Sequence, residues 1–263
     1  MHLHNNLKKT TIAASFFIFA MYAVLIISLF YFLKPELLSG KIFSERIIFS
    51  IKLSLGAATI SSILSVLIGI PAAYALSRYD FNGKIIIDSF LELPMIVSPA
   101  ALGAMLLIFF NNPAGIWVQE NVSQFVFTVN GIILAQFITT AGVATRLIKA
   151  AMDEIPARYE NVARSLGASP FTAFMTVTLP LAKRGIIASV ILTWAKALGE
   201  FGASITISGS MAMKTETLPI SIYMRLANAD IEGTVILILL LVSIGLFILF
   251  GIRLITKSGN INA

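Results

Sequence analysis

The sequence predicts an all-α, polytopic integral membrane protein with six transmembrane helices, and three observations carry that prediction. Of its 263 residues 57% are hydrophobic and only 12% are charged, and the mean hydropathy of +0.90 lies well above that of a water-soluble domain. The apolar residues fall into six runs, each long enough for the roughly 20 residues that a spanning helix needs. A longer and more polar segment, 149–184, separates the fourth run from the fifth and carries its own helix start and stop signals. The whole chain, 1–263, reads as a single transmembrane domain.

The first run, 11–33, is too long for a signal-peptide core and has no small-residue cleavage site before Lys34, so it reads as a retained span. The second, 48–76, places Ser50, Ser54, Ser61 and Ser65 on one stripe beside Ala57 and Ala58, which suits close helix packing or a pore lining. The third covers 85–110. In the fourth, 124–148, Thr128, Gln136, Thr139 and Thr140 share a similar stripe with the same two readings. The fifth, 185–209, contains charges, and the sixth, 233–255, is cleanly apolar.

A cytoplasmic N-terminus and six crossings put Lys8, Lys9, Arg78, Lys84, Arg146, Lys149, Arg158, Arg164, Lys183, Arg184, Arg253 and Lys257 inside. That is twelve of the 19 basic residues; Lys34, Lys41, Arg46, Lys214 and Arg225 fall outside, and Lys52 and Lys196 lie within spans. Because basic residues favour cytoplasmic loops, both termini are expected in the cytoplasm of a cell with this chain in its plasma or inner membrane.

Several function classes are disfavoured by what the chain lacks. Without cysteine it has no disulfide framework, thiol nucleophile or thiolate metal site. Its only histidines, His2 and His4, sit in a polar tail expected to be disordered, so no metal site is expected. The net charge of +6 follows from the flanks of the spans and does not imply nucleic acid. The few acids form no evident acid/base constellation, so the chain does not read as an enzyme. It contains no G-x-x-x-x-G-K-[ST] phosphate loop, hence no ATP site of its own. The two halves show no convincing repeat, which weakens an ion-coupled secondary transporter of inverted-repeat type.

In the fifth span Ser189, Thr193, Lys196, Glu200 and Ser204 fall within about 80° of one helical face. An idealised upright helix starting at Arg184 would put Lys196 about 18 Å and Glu200 about 24 Å into the membrane. Charges at that depth should face the bundle or a wet cavity, since exposing one to lipid costs ~2.5 kcal/mol or more. Their i, i+4 spacing permits a structural ion pair, and the alternative is a translocation pathway or gate. Gly199 and Gly202 allow close backbone approach or a bend.

The segment 149–184 begins a short helix near Asp153, Glu154 and Pro156 and stops it at Gly167. Tyr159, Val162, Ala163 and Leu166 recur at helical spacing, while Arg158, Glu160, Asn161, Arg164 and Ser165 leave the other faces polar. A second short helix starts at Ser169 and Pro170 and is expected to end at the Leu179-Pro180 step. Such a hairpin could lie on a lipid surface or dock into a soluble partner; the small Ala163 modestly favours a protein partner.

The stretch ENVARSLGASPFTAFMTVTLP resembles the coupling motif of ATP-binding-cassette (ABC) importer permeases: EAA, three residues, Gly, nine residues, a branched aliphatic, one residue, Leu-Pro. Gly167, Val177, Leu179 and Pro180 stand at those intervals and Ala163 matches the second alanine. Asn161 and Val162 replace the Glu and first Ala, with Glu160 one place early. GIPAAYALSRYDFNGK, from Gly69 to Lys84, resembles the end of the second span in the same class. The resemblance spans about Ile51 to Tyr223 and implies a type I ABC importer permease fold. It further implies that the helix from Arg158 to Gly167 seats in a groove of a cytoplasmic ATPase subunit, which binds the ATP and Mg.

ALGEFGASITISGSMAMKTETLPISIY, from Ala197 to Tyr223, and LELPMIVSPAALG are similar to permeases for tetrahedral oxyanions, above all molybdate and tungstate, with sulfate and thiosulfate relatives close. That resemblance implies a homodimer of this chain with two ATPase subunits and one external oxyanion-binding protein.

Overall fold

A computed structural model describes residues 2–33 and 44–258, and every regular element among them is helical. In chain order these are α1 (His2–Leu29), a 3₁₀ turn (Phe30–Phe32), α2 (Glu45–Arg78), α3 (Lys84–Phe90), α4 (Leu93–Ile96), α5 (Pro99–Phe110), α6 (Pro113–Asn121) and α7 (Val129–Asp153). Then follow α8 (Arg158–Ser165), α9 (Pro170–Ala173), a π-helical turn (Phe174–Thr178), α10 (Leu179–Leu198), α11 (Gly202–Ser208), α12 (Leu218–Ala227) and α13 (Ile231–Ser258). Five helical stretches are long and apolar enough to cross a membrane, and a bent pair makes a sixth. Lys34 and Lys41, two of the charges that orient the predicted spans, lie outside the described residues.

Four expectations need correction. The third span is not one helix: the stretch before Ile96 and α5 meet at 112°. Pro99 is the cause, because it drives Ser98 into an extended conformation (φ −61°, ψ 146°), from which the serine side chain caps α5 by accepting from Ala101 N at 3.3 Å. The fifth span does not run to 209: the helix from Pro170 to Leu198 is long enough to cross by itself, and α11 starts only at Gly202, after a gap at Gly199–Phe201. The fourth starts at Val129 and not at 124, since Phe127 holds a left-handed φ of 58° and Thr128 then caps Gly131 N. It runs on to Asp153, so the first residues of the expected 149–184 segment still belong to the span helix. Finally, α1 begins at His2, where a disordered tail was expected.

The bundle is organised around α2 and α7, which lie against each other along most of their length. The serine stripe is what lets them approach. Ser61 donates to Ile133 O at 2.9 Å and Ser65 shares a 2.9 Å hydrogen bond with Thr140. Of the two readings for these stripes, helix packing is therefore the one realised at Ser61, Ser65, Gln136 and Thr140, all of them buried. Ala58 packs on Ala197 and Leu198 of α10. Nearer the Arg78 end, Ala73, Ile148, Met152 and Ala182 form a second apolar cluster; at the other end Ile47, Leu218 and Leu237 form a third. By contrast, among the described residues α1 packs mainly on α13 and the turn that follows it, and Phe16, Phe17 and Phe19 are about two-thirds exposed or more.

The helices that follow the two interruptions, α5 and α11, meet each other. α5 packs on α11 at a distance only glycine allows: a Cβ on Gly103 would come within 2.8 Å of the Ala203 backbone, and one on Gly202 within 2.9 Å of Ala100 N. Neither position has a side chain that could swing away, because the obstructing atoms are backbone. We expect Gly103→Ala to lower stability by about 1–3 kcal/mol through overpacking, read as a drop in the melting temperature of the detergent-solubilised protein. An unchanged melting temperature would contradict the close contact.

Candidate functional site

The polar segment between α7 and α10 folds as a projecting knob. Three pieces of local chemistry shape it. Gly167 adopts φ +95° and ends α8 with two crossed hydrogen bonds, Gly167 N to Arg164 O at 3.0 Å and Ala168 N to Ala163 O at 3.1 Å. A side chain at that φ is strained, which is why the stop is a glycine. Ser169 then caps α9 by accepting from Thr172 N at 3.1 Å, with Pro170 in the first turn. The expected stop at Leu179-Pro180 does not occur. The π-helical turn Phe174–Thr178 widens the coil just before Pro180, so the ring enters the first turn of α10 and the chain stays helical from α9 onward.

On the knob, Tyr159, Val162 and Leu166 are exposed, Leu166 at 84%. Arg158 lies over the Tyr159 ring, 5.4 Å from its centroid. Asn161 and Arg164 are exposed too, Ala163 and Leu179 are half-buried, and Pro180 is exposed. The expected apolar stripe thus exists, and it faces away from the bundle. A contiguous row of unpartnered apolar side chains on a protruding helix marks a contact surface.

Glu160 does the opposite of what its neighbours do. Only 7% exposed, it points into the bundle, where three donors converge on it: Arg78 Nε at 2.7 Å and Thr178 Oγ1 at 2.5 Å reach Oε1, and the Tyr74 hydroxyl reaches Oε2 at 2.9 Å. Arg78 also donates to Met152 O at 3.0 Å and Ile155 O at 2.8 Å, carbonyls in the last turn of α7 and just beyond its end. One ion pair therefore joins α2, α7, α8 and the π-helical turn. Arg78 read in the sequence as one of many flanking charges, Tyr74 and Thr178 as nothing in particular. A pairing across 82 residues has no local signal. Burial works against the Glu160 charge, but the hydrogen bonds from Thr178, Arg78 and Tyr74 outweigh it and hold the carboxyl below its ordinary range.

The polar face of the fifth span is divided by the break at Gly199. Ser189, Thr193, Glu200 and Ser204 are all buried, and Lys196 is half-buried. Lys196 and Glu200 do not form the i, i+4 ion pair, because the helix that would align them ends at Leu198. Instead Glu200 Oε1 accepts from Ala203 N at 2.8 Å, capping α11, with Thr139 of α7 beside it. Ser189 donates to Gly185 O at 2.8 Å within its own helix. Thr193, Ser204 and Ser208 have buried hydroxyls with no hydrogen-bond partner. α10 and α11 both pack on α7, so these groups line a polar seam in the middle of an otherwise apolar layer. Among the described residues no cluster of His, Asp or Glu could hold a metal ion.

A third buried carboxylate is bound at the other end of α2 from Glu160. Glu216, 1% exposed, takes two parallel bonds from Arg46, at 2.7 and 2.9 Å, and one from Ser221 Oγ at 2.6 Å.

Because the folded state holds Glu160 below its ordinary range, its contribution is present at neutral pH and is lost as pH falls through and below that range. We expect Glu160→Gln to melt well below wild type at neutral pH, since breaking a buried pair costs about 3–5 kcal/mol. That gap should narrow on acidification to about pH 4; a gap that stays constant would show that the carboxylate charge is not what holds the joint.

Residues 65–258 match the family model described as binding-protein-dependent transport system inner membrane component. Among individual relatives, a probable molybdenum ABC transporter permease protein of Haloferax volcanii is 34% identical over 211 residues, 80% of this chain and 76% of that one. The sulfate transport system permease protein CysT of Escherichia coli is 30% identical over 212 residues, with the same coverage. The molybdenum transport system permease protein ModB of Haemophilus influenzae is 33% identical over 177 residues, 66% of this chain and 77% of that one. In fold, a bacterial ABC transporter involved in import of the acidic polysaccharide alginate superposes with a TM-score of 0.76 at 16% identity, covering 98% of this chain and 99% of that one. The methionine ABC transporter MetNI, in inward-facing form, gives 0.62 at 19% identity, covering 82% and 99%. With its type I importer fold, its apolar spans and a family model matching most of its length, the chain belongs to the binding-protein-dependent transport system inner membrane components, the permease subunits of ABC importers.

Proposed function

We propose that this permease carries molybdate or tungstate into the cell by alternating access, as a homodimer joined to two cytoplasmic ATPase subunits and served by an external oxyanion-binding protein. The observation that carries the energy-coupling half of this reading is the knob. α8 presents Tyr159, Val162 and Leu166 outward while Glu160 anchors it from within, which is the arrangement of a lever: one face free to be gripped, the other fixed to the spans. ATP and Mg belong to the partner, since the chain has no phosphate loop. In this reading the α8 end of the bundle and both termini face the cytoplasm, consistent with the distribution of basic residues.

For the cargo, the support is the KTETLPISIY stretch together with molybdenum permeases among the relatives. A second reading, a sulfate or thiosulfate importer, is favoured by the CysT relative at comparable identity. Selection of the anion would rest with the binding protein. The permease supplies a passage, and the seam of Thr193, Lys196, Glu200 and Ser204 is where we place its gate. Glu200 repels an oxyanion, so its part there is to hold the α11 start in position and not to bind the cargo.

Two experiments test these assignments. In proteoliposomes holding the full complex and its cognate binding protein, molybdate or tungstate uptake should exceed sulfate uptake; preferential sulfate uptake would select the second reading. Gly167→Val should lower ATP-driven uptake by about tenfold or more, because a β-branched residue at a left-handed φ costs at least ~1–2 kcal/mol and displaces the knob. Normal uptake by that variant would remove the knob from the coupling path.

A further inference from the structure

Among the described residues two carboxylates besides Glu200 are buried, and both are bound to the same helix. Glu160 takes Arg78, the last residue of α2; Glu216 takes Arg46, the second. At 34 residues α2 is about 50 Å long, so the two joints sit at opposite ends of the bundle. Each is reinforced by a neighbour on a different element. At the Glu216 end Ser54 Oγ of α2 accepts from Leu218 N at 2.7 Å, fixing the start of α12 to the same helix. At the Glu160 end Arg78 holds the α7 carbonyls as well. Between the ends Pro71 interrupts the hydrogen bonding of α2, but the helix is braced there by α7, with Gly69 against Thr145 and Ile148.

A member clamped at both ends and braced along its length cannot shift at one end alone without breaking a clamp, and a broken clamp strands a buried carboxylate. We infer that α2, braced by α7, is a strut that carries displacement of the α8 knob to the segment 209–217 at the far face, with Glu160 and Glu216 as the positioning residues at its two ends. The far segment is suited to receive that displacement. Thr215, Glu216 and Thr217 are at most 1% exposed, whereas Met213 and Lys214 are exposed. A buried root therefore moves with the strut while a free tip meets whatever docks outside. The inference rests on the reading of α8 as the ATPase contact.

The test uses the full complex with its ATPase subunit and a substrate-loaded binding protein, and compares wild type with Glu160→Gln, Glu216→Gln and the double variant. Two quantities are read: co-purification of the ATPase subunit, and the factor by which loaded binding protein stimulates ATP hydrolysis. Each single variant should lower the stimulation factor about threefold or more, and the double variant should fall no further than the worse single, since either break disconnects the same strut. Losses that multiply in the double variant, as for independent sites, would overturn the strut. If the double variant does not assemble, Glu216→Gln and Arg46→Lys decide. Reduced stimulation with the ATPase still bound supports the strut, and full stimulation in both overturns it. Failure of the wild-type chain to retain an ATPase subunit would instead overturn the assignment of α8.

Discussion

A single buried ion pair ties together four elements at one end of this molecule. Neither Arg78 nor Glu160 would be tolerated at such low exposure alone; together, with Tyr74, Thr178 and two helix-terminal carbonyls, every strong donor and acceptor among them is satisfied. The pair is also selective in what it joins. It gathers the end of α2, the end of α7, the projecting α8 and the turn leading into α10, so the knob is not a loop appended to the spans but their common terminus. The pattern on α8 follows directly. One side chain in the helix is turned inward to make the joint, and the stripe of Tyr159, Val162 and Leu166 is left free.

The membrane supplies the second constraint. Backbone polar groups in an apolar layer must be satisfied inside the protein, and the helical path of this chain is interrupted twice, inside the third span and directly after the helix that ends at Leu198. Each break is repaired locally: Ser98 caps α5, Glu200 caps α11, and Phe127 N donates to Ile207 O at 3.0 Å, tying the last turn of α11 to the approach of α7. The glycine contacts between α5 and α11 then let these two short helices pack at backbone distance. Charges in the fifth span make sense in this setting. Glu200 is a capping group whose alternative would be an unsatisfied helix start.

Much of this was legible in the sequence. Span number, the serine stripe, the glycine stop at residue 167 and the outward apolar face of α8 all rest on periodicity or on backbone preferences of single residues, which act locally and leave a local trace. The breaks were only half legible. Gly199 and Gly202 marked a possible bend, yet a helical wheel drawn through them paired Lys196 with Glu200, because periodicity assumes the continuity that a break removes. Pro99 carried the third-span bend in plain view, and span length hid it. The two ion pairs on buried glutamates were not legible at all. Arg78 with Glu160 and Arg46 with Glu216 are set by which helix ends the fold brings together, and both arginines looked like ordinary flanking charges.

The isolation of α1 sets it apart from the rest of the bundle. Among the described residues α1 has few contacts beyond α13 and the turn that follows it, and from Ile12 to Leu29 its composition is apolar on nearly every side. α7 is the reverse case, a helix whose serine-facing and seam-facing sides carry Gln136, Thr139 and Thr140. Released singly into a bilayer it would expose those groups, whereas beside α2 they are covered. The chain thus combines one helix whose apolar surface suits lipid by itself with a pair, α2 and α7, whose polar groups are covered only when the two lie together.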